Sequence, residues 1–455
     1  MSIEISERRR REVINALRAG TVPQSGLDVL AVGLGRFEGA IDAELAEVAA
    51  GGSVFKAVRG EYGAGKTFFS RWLVERARRA GFASSEVQVS ETETPLHRLE
   101  TVYRRITENL ATAEFPPSAL REVMDGWFYA LEQDALAAGN VDEHDPIALG
   151  AAVDALLERR LQTVSQTAPA FAAALRGYRS AVAAGDAPTA DGLLSWLGGQ
   201  PHVAAAVRRA AGVRGELDHF GAFGFLQGLI AVLRDSGYAG LVLILDEVET
   251  LQRVRGDVRD KALNALRQLV DEVHAGRFPG LYLLITGTPP FFDGPSGVQR
   301  LAPLAQRLAV DFSGDPRFDN ARAVQVRLPG FSRASLVELG GRVRDMYAVG
   351  AAPRVPQIVD DAYLADLAAA VTGRLGGQVG VAPRIYLKKL VGDVLDRVDQ
   401  HPDFDPRRDY ALTVLDAELS PNEQQAAAGV DDVELAELDD AGSSESEPRA
   451  PEPQP

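Results

Sequence analysis

The period of the apolar positions changes several times along the chain, and the changes divide it into elements. Val13, Ile14 and Leu17 fall on one face of a first helix that Ser6 can cap. A loop rich in glycine leads to a second amphipathic helix around residues 41–48. SVFKAVRG then reads as a short strand ending at Gly60, followed by a glycine turn and a helix. SSEVQVSE is a second strand and LHRLETVYRRITENL a second helix. From about residue 115 to 215 the spacing is helical throughout, in alanine-rich stretches such as ALGAAVDALLERRLQTV. Alternation resumes with a helix at 220–234, the apolar strand GLVLILDE, a helix at 258–274, the strand GLYLLITG, a helix at 301–308 and a last strand in ARAVQVRLP. After Ser332 only helical periodicity remains. Strands alternating with helices imply an α/β fold around a mostly parallel sheet, covered on both faces.

Composition narrows the picture in three respects. There is no cysteine, so disulfides and cysteine-ligated zinc or iron–sulfur centres are excluded. No apolar run is long enough to span a membrane, and the basic N-terminus lacks the apolar stretch of a signal peptide, so a cytoplasmic protein is expected. The net charge of −16 is uneven. Residues 421–455 hold ten acidic side chains and one arginine, and their Glu/Asp/Ser/Pro-rich composition predicts a disordered tail. The mildly acidic remainder permits a local basic patch, and Arg8, Arg9, Arg10 and Arg11 offer one that could meet DNA phosphates. A solvated helix face balanced by Glu4, Glu7 and Glu12 accounts for the same cluster.

The chemistry is concentrated at strand ends. Gly60-Glu61-Tyr62-Gly63-Ala64-Gly65-Lys66-Thr67 satisfies G-x-x-x-x-G-K-[ST], with a strand before it and a helix after. In that motif backbone N–H groups surround the phosphates of ATP, the helix adds its positive dipole, Lys66 reaches the β- and γ-phosphates, and Thr67 is a Mg²⁺ ligand. The second apolar strand ends in Asp246-Glu247, at the edge where parallel sheets bind ligands. Asp246 suits Mg²⁺ and Glu247 suits polarisation of an attacking water. Glu249 reads as a helix-start carboxylate rather than a catalyst. The pair fits water activation better than phosphoryl transfer to a hydroxyl, which disfavours a kinase.

Taken together, these motifs resemble the AAA+ module of origin-recognition and initiator-clade proteins. Over almost the whole chain they resemble the BrxD family, ATP-binding proteins of BREX phage-defence systems. The resemblance rests on GEYGAGKTFF, SSEVQVSETETPLHRLETVYRRI, LVLILDEVETL and PRIYLKKLV. It implies a P-loop NTPase fold of AAA+ type, with a large helical insertion and a C-terminal helical lid. The expected segments are an N-terminal helical part (1–50), an ATPase core in two pieces (51–114 and 216–331), the insertion (115–215), the lid (332–420) and the tail (421–455). It also implies a sensor 1 residue at Thr286 or Thr288, an arginine finger at Arg307 or its rival Arg300, and a sensor 2 arginine at Arg384. The implied protein binds Mg·ATP, hydrolyses it as part of a BREX complex, forms a homo-oligomer with ATP, and meets other BREX proteins or double-stranded DNA. A slow-turnover switch that binds protein partners without touching DNA uses the same nucleotide residues. The long spacing between Thr67 and Asp246 departs from a typical AAA+ protein, and the insertion explains it. No winged-helix pattern follows the lid, which argues against origin-type DNA loading.

Overall fold

The computed structural model describes residues 6–138, 144–375, 383–419 and 424. The chain clusters into two compact units. One draws on Gly33–Glu61 and Gly65–Pro329, the other on Met1–Val32, Tyr62–Ala64 and Gly330–Pro455.

The first unit is built on five parallel strands: β1 (Val54–Arg59), β2 (Ala83–Gln88), β3 (Leu241–Asp246), β4 (Leu281–Gly287) and β5 (Gln325–Arg327), in the order β2-β3-β4-β1-β5. The strands β3 and β4 lie inside the sheet, and both of their faces are covered by helices. Continuous apolar sequence is what such a position requires, and Leu241, Val242, Leu243, Ile244 and Leu245 are all buried, as is every residue of β4. The register sets Val54 beside Tyr282 and Arg59 beside Gly287, Leu245 beside Ile285, and Gln88 beside Asp246. The carboxyl ends of β1 to β4 therefore finish level with one another.

The expected last strand is shorter than ARAVQVRLP suggests. As an edge strand it pairs only with β1, and the residues before it turn aside to serve a buried charge. Lys56, in the middle of β1, is 1% exposed. Its Nζ lies 2.6 Å from Glu44 Oε1 and donates to Ala321 O at 2.8 Å and Ala323 O at 3.3 Å. An ammonium has three donors, and here each has an acceptor. Tyr282 donates to the other Glu44 oxygen at 2.6 Å. One buried ion pair thus joins the helix Gly35–Ala49, β1, β4 and the approach to β5.

Between β2 and β3 the chain is helical. The helices Leu99–Glu108, Leu120–Ala137, Pro146–Arg160, Pro169–Ala183, Ala187–Leu197 and Gly221–Asp235 share a continuous apolar core with the sheet. Close approach is built into it: a Cβ at Gly228 would come within 2.5 Å of the Phe171 ring. Polar side chains fix the packing at its edge, where Asp235 accepts from Trp127 Nε1 at 2.6 Å and from Arg160 at 2.9 Å.

Among the described residues, the regular elements of the second unit are helices. Ser6 caps the helix Glu7–Arg18 by accepting from the Arg9 amide, and Val13, Ile14 and Leu17 form its buried face, as the spacing predicts. Arg18 makes a two-pronged bond to Asp396 at 2.6 and 2.8 Å, and Tyr347 donates to the same carboxylate at 2.8 Å. That links the N-terminal helix to Arg333–Ala348 and to the segment after the π-helical turn Lys389–Leu395. Ala382, which precedes the PRIYLKKLV segment, and the acidic tail apart from Gln424 lie outside the described residues. Among the described residues, no helix is long and apolar enough to cross a membrane.

Removing Glu44 strands the Lys56 ammonium in the interior. Glu44→Ala is expected to lower unfolding stability by about 3 kcal/mol, read as a reduced urea midpoint.

Candidate functional site

The site grows out of the strand ends. From Arg59 the chain enters a turn over residues 60–65, tied to β4 by a hydrogen bond from Gly60 N–H to Gly287 O at 3.1 Å. Gly63 (φ 77°) and Gly65 (φ 91°) take left-handed backbone conformations that a side chain would strain. Gly65 is also the N-cap of the helix Lys66–Arg79, and no side chain among the described residues caps that first turn. Its orphan N–H groups and the positive end of the helix dipole both belong to the glycine turn. Glu61, Tyr62 and Gly63 are exposed, whereas Ala64 and Lys66 are buried. Lys66 Nζ donates to Gly60 O at 2.9 Å and Glu61 O at 3.4 Å, and lies 3.7 Å from Glu249 Oε1.

The end of β3 meets this turn through one carboxylate. Thr67 donates to Asp246 Oδ2 at 3.1 Å. Thr286, near the end of β4, donates to Oδ1 of the same Asp246. The Glu247 amide completes the cluster, donating to Asp246 Oδ1 at 3.1 Å and to Thr286 Oγ1 at 3.2 Å. Of the two threonines left open by the sequence, Thr286 is the one whose hydroxyl reaches Asp246. Thr288 is buried at the N-cap of the short helix Pro289–Asp293.

Glu247 has an unusual backbone. Its φ of 59° and ψ of 43° are left-handed, a conformation that costs a non-glycine residue about 1–2 kcal/mol. The carboxylate is held at 2.8 Å by Gln88 Nε2 from the end of β2. Sequence reasoning missed Gln88. Only the pairing of β2 with β3, which sets Gln88 beside Asp246, shows its place.

The burial of Glu249 was missed as well. The residue does stand in the first turn of the 3₁₀ helix Val248–Gln252, as a helix-start carboxylate should. Yet it is only 4% exposed, and neither carboxylate oxygen has a hydrogen-bond partner among the described residues. Burial pushes its carboxyl above the usual carboxylate range, against the opposing pull of Lys66.

The arginines singled out by resemblance each have partners within their own unit. Arg307 pairs with Asp271 and donates to Pro303 O at 2.7 Å, and Arg300 pairs with Asp260. Both acids lie on the helix Gly256–His274. In the other unit, Arg384 opens the helix Pro383–Lys388 and donates to Glu418 O. Arg8 pairs with Glu12 and Arg11 with Glu7, one turn along an exposed helix face.

These residues fit a magnesium nucleotide. Two left-handed glycines and an uncapped helix start could cradle phosphate oxygens, with Lys66 as the cation. One hydroxyl and one carboxylate, Thr67 and Asp246, form the hard oxygen set that Mg²⁺ takes while keeping several waters. The glycine turn between β1 and a helix, on a parallel sheet whose strand ends meet there, defines a P-loop-like α/β protein. The chain belongs to the BREX system ATP-binding protein BrxC/D family, whose sequence model matches residues 5–414. That membership implies nucleotide binding within a BREX system. No curated protein and no solved structure matches the chain.

The strain at Glu247 yields a separable prediction. Glu247→Gly should raise unfolding stability by about 1 kcal/mol, read as a higher midpoint of thermal melting; an unchanged or lower midpoint would contradict the strain.

Proposed function

We propose that the chain is a magnesium-dependent ATPase of AAA+ type acting in a BREX complex, where ATP binding drives assembly on DNA or partner proteins and hydrolysis drives release. The contact of Thr67 with Asp246 at 3.1 Å, with Glu247 next along the chain, carries this reading. It joins the phosphate turn to the acidic strand end, as a shared metal site and water-activating group require.

Residues 60–67 would hold the phosphates through backbone N–H groups, with Lys66 balancing their charge. Thr67 and Asp246 would hold Mg²⁺, which when bound neutralises charge developing on the phosphates. Glu247 would accept the proton of the attacking water, and Thr286, through its bond to Asp246, is preferred over Thr288 as sensor 1. In the same reading Arg307, or its rival Arg300, is the finger donated across a homo-oligomer, and Arg384 is sensor 2. Residues 115–215 are then an insertion and 332–420 a lid.

A second reading, a slowly turning switch that contacts proteins rather than DNA, draws support from three observations. Gln88 holds the Glu247 carboxylate, Arg307 is paired with Asp271, and Arg8 and Arg11 have acidic partners of their own.

Steady-state ATP turnover, with and without duplex DNA, separates the two. Turnover stimulated by DNA is expected for the first reading, and turnover indifferent to DNA or absent without protein partners for the second. Glu247→Gln should bind ATP and stop turnover; undiminished turnover removes Glu247 from the mechanism. Arg307→Ala should lose turnover, and mixing it with Lys66→Ala should restore activity if the finger acts in trans. Failure to complement assigns Arg307 a structural role.

A further inference from the structure

Two lysines are buried near the nucleotide turn, and they are held differently. Lys56 has its three donors met at 2.6 to 3.3 Å by a carboxylate and two carbonyls, a closed arrangement. Lys66 holds Gly60 O at 2.9 Å, Glu61 O at a long 3.4 Å, and Glu249 at the wider distance of 3.7 Å. The Glu249 carboxylate is 4% exposed and has no hydrogen-bond donor among the described residues to replace water. A buried carboxylate in that condition depends on a nearby cation for its charge. Asp246 and Glu247 oppose its ionisation, and Lys66 is the largest influence favouring it.

We propose that Glu249 is the resident counter-ion of Lys66, and that engaging nucleotide phosphates draws the ammonium away so that Glu249 takes up a proton. The inference rests on the phosphate-binding role of Lys66. Lys66 already donates to Gly60 O and Glu61 O and stands beside the Glu249 carboxylate, so phosphate oxygens gain its ammonium at the expense of these contacts. Glu249 then faces Asp246 and Glu247 with its cation turned elsewhere. Staying ionised in the interior costs more than neutralisation, and a proton from solvent completes the balance: one carboxylate oxygen gains O–H, with no other bond made or broken. Glu249 is thus a positioning residue, holding Lys66 in the turn and setting how readily phosphates displace it.

The sign follows from linkage. The carboxyl has a higher pKa after nucleotide binding than before, so binding consumes a proton and strengthens as pH falls. Across the window between the two pKa values, affinity for Mg·ATP should weaken by up to about tenfold per pH unit as pH rises. Replacing Glu249 by the isosteric, uncharged Gln removes both the counter-ion and the titration.

The test is calorimetric titration of the full chain with Mg·ATP at neutral pH, in buffers of differing ionisation enthalpy, which counts protons exchanged without measuring turnover. A net uptake approaching one proton by wild type is expected. Glu249→Gln should show none while still binding ATP, with affinity flat across the same pH range. No uptake by wild type, or equal uptake by both proteins, overturns the proposal. Because wild type supplies the primary count, a variant that fails to fold leaves the result decisive. Absence of any ATP binding by wild type is a different failure: it removes the nucleotide-site reading and this inference with it.

Discussion

Everything at the site depends on parallel strands ending together. The register that sets Arg59 beside Gly287, Leu245 beside Ile285 and Gln88 beside Asp246 brings four strand ends to one edge. Residues far apart in sequence then have little freedom left. Thr67 meets Asp246 across 179 positions, and Gln88 meets Glu247 across 159. The same rule places ligand chemistry at the carboxyl edge of α/β sheets generally, because the backbone N–H groups and helix starts that follow the strands gather there. The helices between β2 and β3 leave this geometry alone. They pack into the same core as the sheet, so a long excursion returns the chain to β3 in register.

Charge is distributed on the same logic. The interior accepts Lys56 because its surroundings saturate it, and the pair stabilises the placement of β1, which delivers the glycine turn. Glu249 has no hydrogen-bond partner among the described residues, beside a backbone strained at Glu247. Satisfied polar groups fix structure, whereas strained and under-partnered ones gather where a ligand is to be gripped.

Much of this was legible beforehand, for identifiable reasons. Runs such as LVLIL and LYLLI can only be interior parallel strands when flanked by helical periodicity, and the glycine spacing of residues 60–67 has few other uses. What the sequence withheld depends on pairing and on local strain. Thr286 and Thr288 are equivalent as letters until one hydroxyl meets Asp246. Gln88 is an ordinary polar residue until β2 lies against β3. Glu249 reads as a carboxylate at a helix start, and nothing in its spacing reveals that the turn faces inward. The end strand reads long because VQV alternates well, but Lys56 recruits the carbonyls just before it. Likewise, no local pattern joins Arg18 to Asp396, 378 positions away, within one helical unit.

The central claim is that the turn over residues 60–65 is a phosphate cradle whose cation is Lys66. Equilibrium binding of Mg·ATP to wild type and to Lys66→Ala, with folding of both checked by circular dichroism, tests it most directly. Saturable binding by wild type and its loss in the folded variant is the expected result. Equal affinity in the two proteins would contradict the assignment and return Lys66 to a structural role beside Glu249.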